Sequence, residues 1–126
     1  KSKEMKLKNI EFYGALDQNQ VSELLLKMDL HVLLSRSEGF PKVILEAAAF
    51  GIPSVVYSDY GADKFIPKNS GFVVKSFEEA KGVISDLLDN LELLKETSVK
   101  VKGLSADYNW KIIIKDWESE IINLVK

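Results

Sequence analysis

The sequence contains no cysteine, which rules out a disulfide framework and any thiolate metal site. It has a single histidine, His31, set among Leu30, Val32, Leu33 and Leu34. A lone histidine inside an apolar strand reads as a core or crevice residue rather than a metal ligand. One histidine is also too little for a Ser-His-acid or Cys-His relay to be argued. No Gly-x-Gly-x-x-Gly occurs, which argues against a dinucleotide oxidoreductase, and no Gly-rich loop ends in Gly-Lys-Ser/Thr, which excludes a P-loop enzyme. No apolar run approaches the about 20 residues needed to span a bilayer. No secretory signal pattern opens the residues, and the expected compartment is the cytoplasm. Internal repeats, low-complexity segments and a linker strong enough to divide the chain are all missing.

What is present fits one globular unit. The 126 residues are 46% hydrophobic and 29% charged, enough for a real core under a polar surface, so residues 1–126 are read as a single domain. The net charge of −2 gives no electrostatic case for nucleic acid. Lys1 to Lys8 is basic and without period, a solvated lead-in. Ile10 to Tyr13 reads as a short strand closed by Gly14. Asp17 then caps a helix, with Gln20 as its capping-box partner and Val21, Leu24, Leu25 and Met28 as its stripe. Leu30 to Leu34, Ser54 to Tyr57 and Phe72 to Val74 read as apolar strands. Apolar strands joined by helices predict a Rossmann-like α/β fold, a parallel sheet with flanking helices. Asn69-Ser70-Gly71 is a turn. Ser76 and Glu79 begin a helix with Ala80, Val83, Ile84, Leu87 and Leu88 inward, broken near Asp89-Asn90. Lys95 to Asp107 is polar and poorly periodic, and is read as a helix end and a loop. A last helix from Asn109 carries Trp110, Ile113, Ile114, Trp117, Ile121 and Leu124 on one stripe, predicted to pack on this domain.

The chain is organised around Ser35 to Pro53. A strand runs into this stretch and another leaves it, with a turn and a short helix between. Pro41 suits the first helical turn, where a missing N–H loses nothing. Gly51 suits the position just past the helix end. Val43, Ile44, Leu45, Ala47, Ala48, Ala49 and Phe50 make the helix apolar nearly all round, which predicts burial on most sides. Glu38 in the turn and Glu46 in the helix interrupt this setting. A turn at the carboxyl end of a parallel strand is where open α/β sheets bind ligands. Free N–H groups of a first helical turn attract anions such as a diphosphate. A carboxylate suits vicinal hydroxyls on a sugar or ribose. Each glutamate also has a plain alternative. Glu38 is favoured near any helix N-terminus, and Glu46 is placed to pair with Lys42 at i,i+4.

The wording Ser35-Arg36-Ser37-Glu38-Gly39-Phe40-Pro41, Glu46-Ala47 and Gly51-Ile52-Pro53 closely resembles the donor-binding signature of the retaining GT-B glycosyltransferases of family 4, the glycosyl transferases group 1. That signature has two glutamates separated by seven residues, as here. The resemblance assigns Glu38 to the catalytic position, where with the amides of Gly39 and Phe40 it contacts the donor sugar and its phosphate. It assigns Glu46 to the nucleotide ribose. Ser35 and Pro41 belong to the same donor-binding set. The loop Ser58 to Ile66 resembles the family's second donor loop and adds Tyr60 and Gly61, although Lys64 stands where a glutamate is expected. Tyr108-Asn109-Trp110 resembles the start of the closing helix, which in these enzymes also reaches toward the N-terminal half.

The resemblance implies a nucleotide diphosphate-sugar as substrate, a glycan or lipid as acceptor and no metal, in keeping with the absence of Asp-x-Asp. It covers a partial C-terminal domain only. The N-terminal acceptor domain and the upstream strands with their diphosphate-binding arginine and lysine are not in these residues. They are therefore expected to be an inactive part of a longer hexosyltransferase type of enzyme for polysaccharide biosynthesis. A peripheral membrane contact of the longer enzyme and self-association of the part are further expectations. A nucleotide- or sugar-binding module without transfer, and a GT-B epimerase or phosphorylase, are the alternatives.

Overall fold

The computed structural model describes residues 7–125. The lead-in expected over Lys1 to Lys8 lies outside them as far as Lys6. Three strands, β1 (His31–Leu33), β2 (Ser54–Tyr57) and β3 (Phe72–Val74), pair in parallel in the order β1-β2-β3. His31 stands opposite Ser54, and Val55 opposite Phe72. Among the described residues five α-helices accompany them: α1 (Gln18–Leu25), α2 (Lys42–Ala49), α3 (Phe77–Asp89), α4 (Leu91–Asp107) and α5 (Trp110–Val125).

The core is two-sided, as a parallel sheet requires. Every residue of β2 is buried. Val56 packs toward Ile44 and Ala48 of α2 and Val101 and Leu104 of α4. Its neighbours Val55 and Tyr57 face the other way, toward Ala80 of α3. The period of two along the strand thus feeds both layers. Burying each such valine or isoleucine side chain contributes about 1.5–3 kcal/mol.

The sheet, both capped helices and two of the four expected strands, β2 and β3, follow the pattern closely. Asp17 and Gln20 form the full capping box of α1. The Ser76 hydroxyl accepts the Glu79 N–H, while Glu79 reaches back to the N–H of Lys75 rather than to that of Ser76. Helix α2 ends in a Schellman motif. Gly51 at φ +77° bonds to the Ala48 carbonyl, and Ile52 bonds to that of Ala47. Pro41 sits at the cap, one position before the helix proper. Another, β1, is shorter than expected, three residues in place of five.

Four expectations are corrected. Ile10 to Tyr13 is irregular and exposed, with Phe12 at 77%. An extended segment remains a strand only when a neighbour takes its N–H and C=O groups, and among the described residues β1 pairs on one side only. Helix α2 is buried on one face, by Ile44, Ala47 and Ala48, whereas Val43, Glu46, Ala49 and Phe50 are exposed. Residues 95–107 are helical throughout, as part of α4. Its stripe is narrow, with only Thr97, Val101 and Leu104 buried, and the Thr97 hydroxyl donates to the Leu93 carbonyl at 2.8 Å. That internal bond lets a polar residue hold a core position. Finally, α5 does not bury its apolar stripe on this domain. None of its residues is buried, and Trp110, Trp117 and Leu124 are 74%, 66% and 83% exposed.

Candidate functional site

Because the strands are parallel, the loops leaving β1 and β2 emerge at the same end of the sheet. The first carries Ser35 to Pro41, the second Ser58 to Gly61. Both are shaped locally. The Ser35 hydroxyl donates to the Ser37 carbonyl at 3.1 Å, tightening the first loop. In the second, the Gly61 N–H bonds the Ser58 carbonyl at 2.9 Å, and Gly61 itself has φ +76°, a conformation that favours glycine.

Phe40 holds the far end of the first loop. Its ring lies 5.2 Å from Phe65 and 5.1 Å from Tyr108, in tilted contact with both. Pro41 beside it is buried. No side chain caps α2, so its first turn keeps backbone donors free of side-chain partners. Gly39 is exposed, and a Cβ there would meet nothing within 4 Å. Packing within the chain therefore does not require glycine at this position.

The two glutamates occupy different settings. Glu46 is exposed and lines a cavity of about 440 Å³ with Phe40, Lys42, Leu45, Tyr108, Trp110 and Ile113. It also borders a cavity of about 380 Å³ toward Val21 and Leu25 of α1. No ion pair joins it to Lys42 among the described residues, so the plain alternative for Glu46 is not realised. Glu38 is half-buried in the loop, and its negative charge reaches Tyr60. The Tyr60 phenol is held above its ordinary value by burial first and by Glu38 second. Its hydroxyl is buried and finds no hydrogen-bond partner, while its ring stacks on Phe65 at 6.3 Å. The structure thus brings Phe40 to Glu46 and Glu38 to Tyr60.

Two charged residues at this end escaped the sequence reading. Arg36 bonds Asp59 at 2.9 Å, and its guanidinium lies 4.7 Å above the Tyr57 ring. The available signal was one opposite charge in each of two loops that follow adjacent strands. Lys64, in the place of the expected acid, is exposed in a 3-10 turn, Ala62–Lys64. Among the described residues no group of three or more His, Asp or Glu side chains is placed to hold a metal ion. No described helix is long and apolar enough to cross a membrane.

A model of the family glycosyl transferases group 1 matches residues 1–103. The chain belongs to this family. It is 33% identical over 104 residues to an uncharacterized glycosyltransferase of Haemophilus influenzae, covering 79% of this chain and 30% of that protein. It is 31% identical over 110 residues to the alpha-galactosylglucosyldiacylglycerol synthase of Streptococcus pneumoniae, covering 87% and 29%. Among solved structures, HepE of Anabaena in complex with UDP-glucose superposes with a TM-score of 0.79 at 20% identity, over 97% of this chain and 34% of that one. The chain therefore spans about a third of the relatives it matches. The three-stranded parallel sheet with its flanking helices is a partial, Rossmann-like C-terminal domain of the GT-B glycosyltransferase fold.

Proposed function

We propose that these residues form the donor-binding wall of a retaining, family 4 glycosyltransferase, which moves a sugar from a nucleotide diphosphate-sugar to a glycan or lipid acceptor without a metal. Glu38 and the amides of Gly39 and Phe40 orient the sugar and its phosphate. Glu46 accepts the ribose hydroxyls. Ser35, Pro41, Tyr60 and Gly61 shape the wall around them. The observation that carries the reading is Glu46, an exposed carboxylate on a mostly apolar helix, in one cavity with Phe40 and with no ion-pair partner among the described residues. A solvated ion pair with Lys42 would have explained it equally well, and among the described residues that pair is absent. Gly39 adds support, since a bare backbone that packing does not require leaves room for a ligand.

Similar proteins agree in kind. HepE was solved with UDP-glucose, and the pneumococcal relative is named for a glycolipid product. Catalysis on this wall is positioning and stabilisation of the departing diphosphate. Neither glutamate is placed as a nucleophile. The acceptor wall and the diphosphate cations belong to the remainder of a longer cytoplasmic enzyme, peripheral to the membrane where the acceptor is a lipid. The 126 residues, read as one domain, bind donor and do not turn over alone.

Calorimetry of the full-length protein with UDP and a panel of nucleotide-sugars tests the reading. Glu46→Gln is expected to weaken both UDP and the preferred nucleotide-sugar by about 1–3 kcal/mol, the scale of a charge-assisted hydrogen bond, with melting unchanged. Unchanged affinity in a folded variant removes Glu46 from the site. Failure of every nucleotide-sugar to bind the parent protein overturns the function.

A further inference from the structure

Arg36 lies two residues before Glu38, yet its side chain leaves its own loop. The guanidinium bonds Asp59 of the neighbouring loop at 2.9 Å and covers the ring of Tyr57 at 4.7 Å. Tyr57 ends β2 and is buried in the core beneath the sheet. An exposed ion pair alone holds little, because water and side-chain entropy compete with it. A guanidinium stacked on a fixed ring is different, since the stacking removes most of the freedom the pair would otherwise have to freeze. At the far end of the same loop, Phe40 is set against Phe65 and Tyr108. Ser37, Glu38 and Gly39 are therefore suspended between two anchors, one cationic and one aromatic. Asp59 is also the residue before Tyr60, so the ion pair joins the two segments that carry Glu38 and the unpartnered phenol.

We propose that Arg36 and Asp59 form a latch between the two donor loops, making Arg36 a positioning residue that sets Glu38 for the sugar rather than a ligand of the donor. The inference rests on the donor-binding reading above. It differs from the other use of an arginine at this end, direct capture of the diphosphate. In the latch the guanidinium is already committed to Asp59 and Tyr57, and freeing it is harmful. As a phosphate ligand, Arg36 would be restrained by Asp59, and freeing it would be helpful.

The experiment measures UDP and nucleotide-sugar binding to the full-length protein and to Arg36→Met, Arg36→Lys, Asp59→Asn and the Arg36→Met/Asp59→Asn pair, with melting curves for each. Arg36→Met and Asp59→Asn are expected to weaken the nucleotide-sugar about five- to thirtyfold and UDP by no more than about threefold. The pair is expected to be no worse than either single change, because both break one interaction. Arg36→Lys keeps the charge but loses the planar group stacked on Tyr57, and is expected to recover only a small part of the loss. Equal losses for UDP and nucleotide-sugar, additive losses in the pair, or tighter UDP binding by Asp59→Asn each overturn the latch. So does unchanged binding in all variants. If the parent protein binds none of the nucleotide-sugars, the donor-binding reading falls and the latch falls with it. If the parent binds and the variants bind equally, only the latch is lost.

Discussion

Replacing Tyr60 by phenylalanine removes one oxygen atom and leaves the ring. That atom is buried without a hydrogen-bond partner, while the ring stacks on Phe65 and touches both halves of the core. A buried hydroxyl left unpaired costs about 1–3 kcal/mol. Tyr60 as a whole is only half-buried, so the gain on removing its hydroxyl is set lower, at about 0.5–1.5 kcal/mol, or roughly 2–6 °C in melting temperature for a domain of this size. The alkaline limb gives a second signature. The native phenol is held above its ordinary value by burial and by Glu38, so above about pH 10 the unfolded chain releases a proton that the native chain retains, and stability falls. Tyr60→Phe is expected to remove its share of that fall. Donor binding should move the opposite way. If the nucleotide-sugar supplies the missing acceptor, the variant loses a hydrogen bond worth about 0.5–1.5 kcal/mol, a two- to twelvefold weakening. A gain in stability coupled to a loss in affinity is the expected pattern where a fold holds a polar group ready for a ligand. Calorimetric melting and titration on the same preparations read both. A variant that melts lower than the parent would show that the hydroxyl already has a partner in solution, and the reasoning would fail.

Two further predictions concern the frame around the site. In Gly51→Ala the residue is strained at φ +77° and its new Cβ would stand 3.2 Å from the Ser98 Oγ, while the Lys102 chain end is free to move aside. With the 2.6 Å bond from Ser98 to the Gly51 carbonyl also disturbed, the expected destabilisation is about 1.5–3 kcal/mol, and a denaturant midpoint equal to that of the parent would refute the packing argument. His31 is held neutral by burial, its value pushed down, with Nδ1 sharing a 3.0 Å hydrogen bond with the Ser54 hydroxyl. The unfolded chain therefore takes up a proton that the native chain refuses. Stability is full above about pH 6.5 and is lost as pH falls through it. Denaturant midpoints against pH should fall less steeply for His31→Gln, and parallel curves would count against it.

The legible parts of this chain were those in which sequence and structure answer to the same local rule. Asp17, Ser76 and Gly51 act through bonds a few residues long, and each does what its spacing predicts. The parallel sheet was legible because its central strand, β2, is buried on both faces and so reads as a continuous apolar run. The illegible parts depend on partners distant in sequence. Helix α4 looked like a loop because its buried stripe is one residue wide per turn and includes a threonine that satisfies itself. The Arg36–Asp59 pair was hidden because neither charge signals the other across 23 positions.

Ile10 to Tyr13 and α5 share a different cause, and the site depends on it. Both carry apolar residues in an orderly pattern, and both lie exposed. A pattern of hydrophobicity states that a face will be covered but not by what. Within the described residues nothing covers either segment, and the outer edge of β1 and the exposed face of α2 are open as well. Glu46 stands on that open face of α2 and shares its cavity with Trp110 and Ile113 at the start of α5. Whatever packs against these surfaces therefore also closes the space in front of Glu46. That is the physical reason for reading this wall as one side of a cleft.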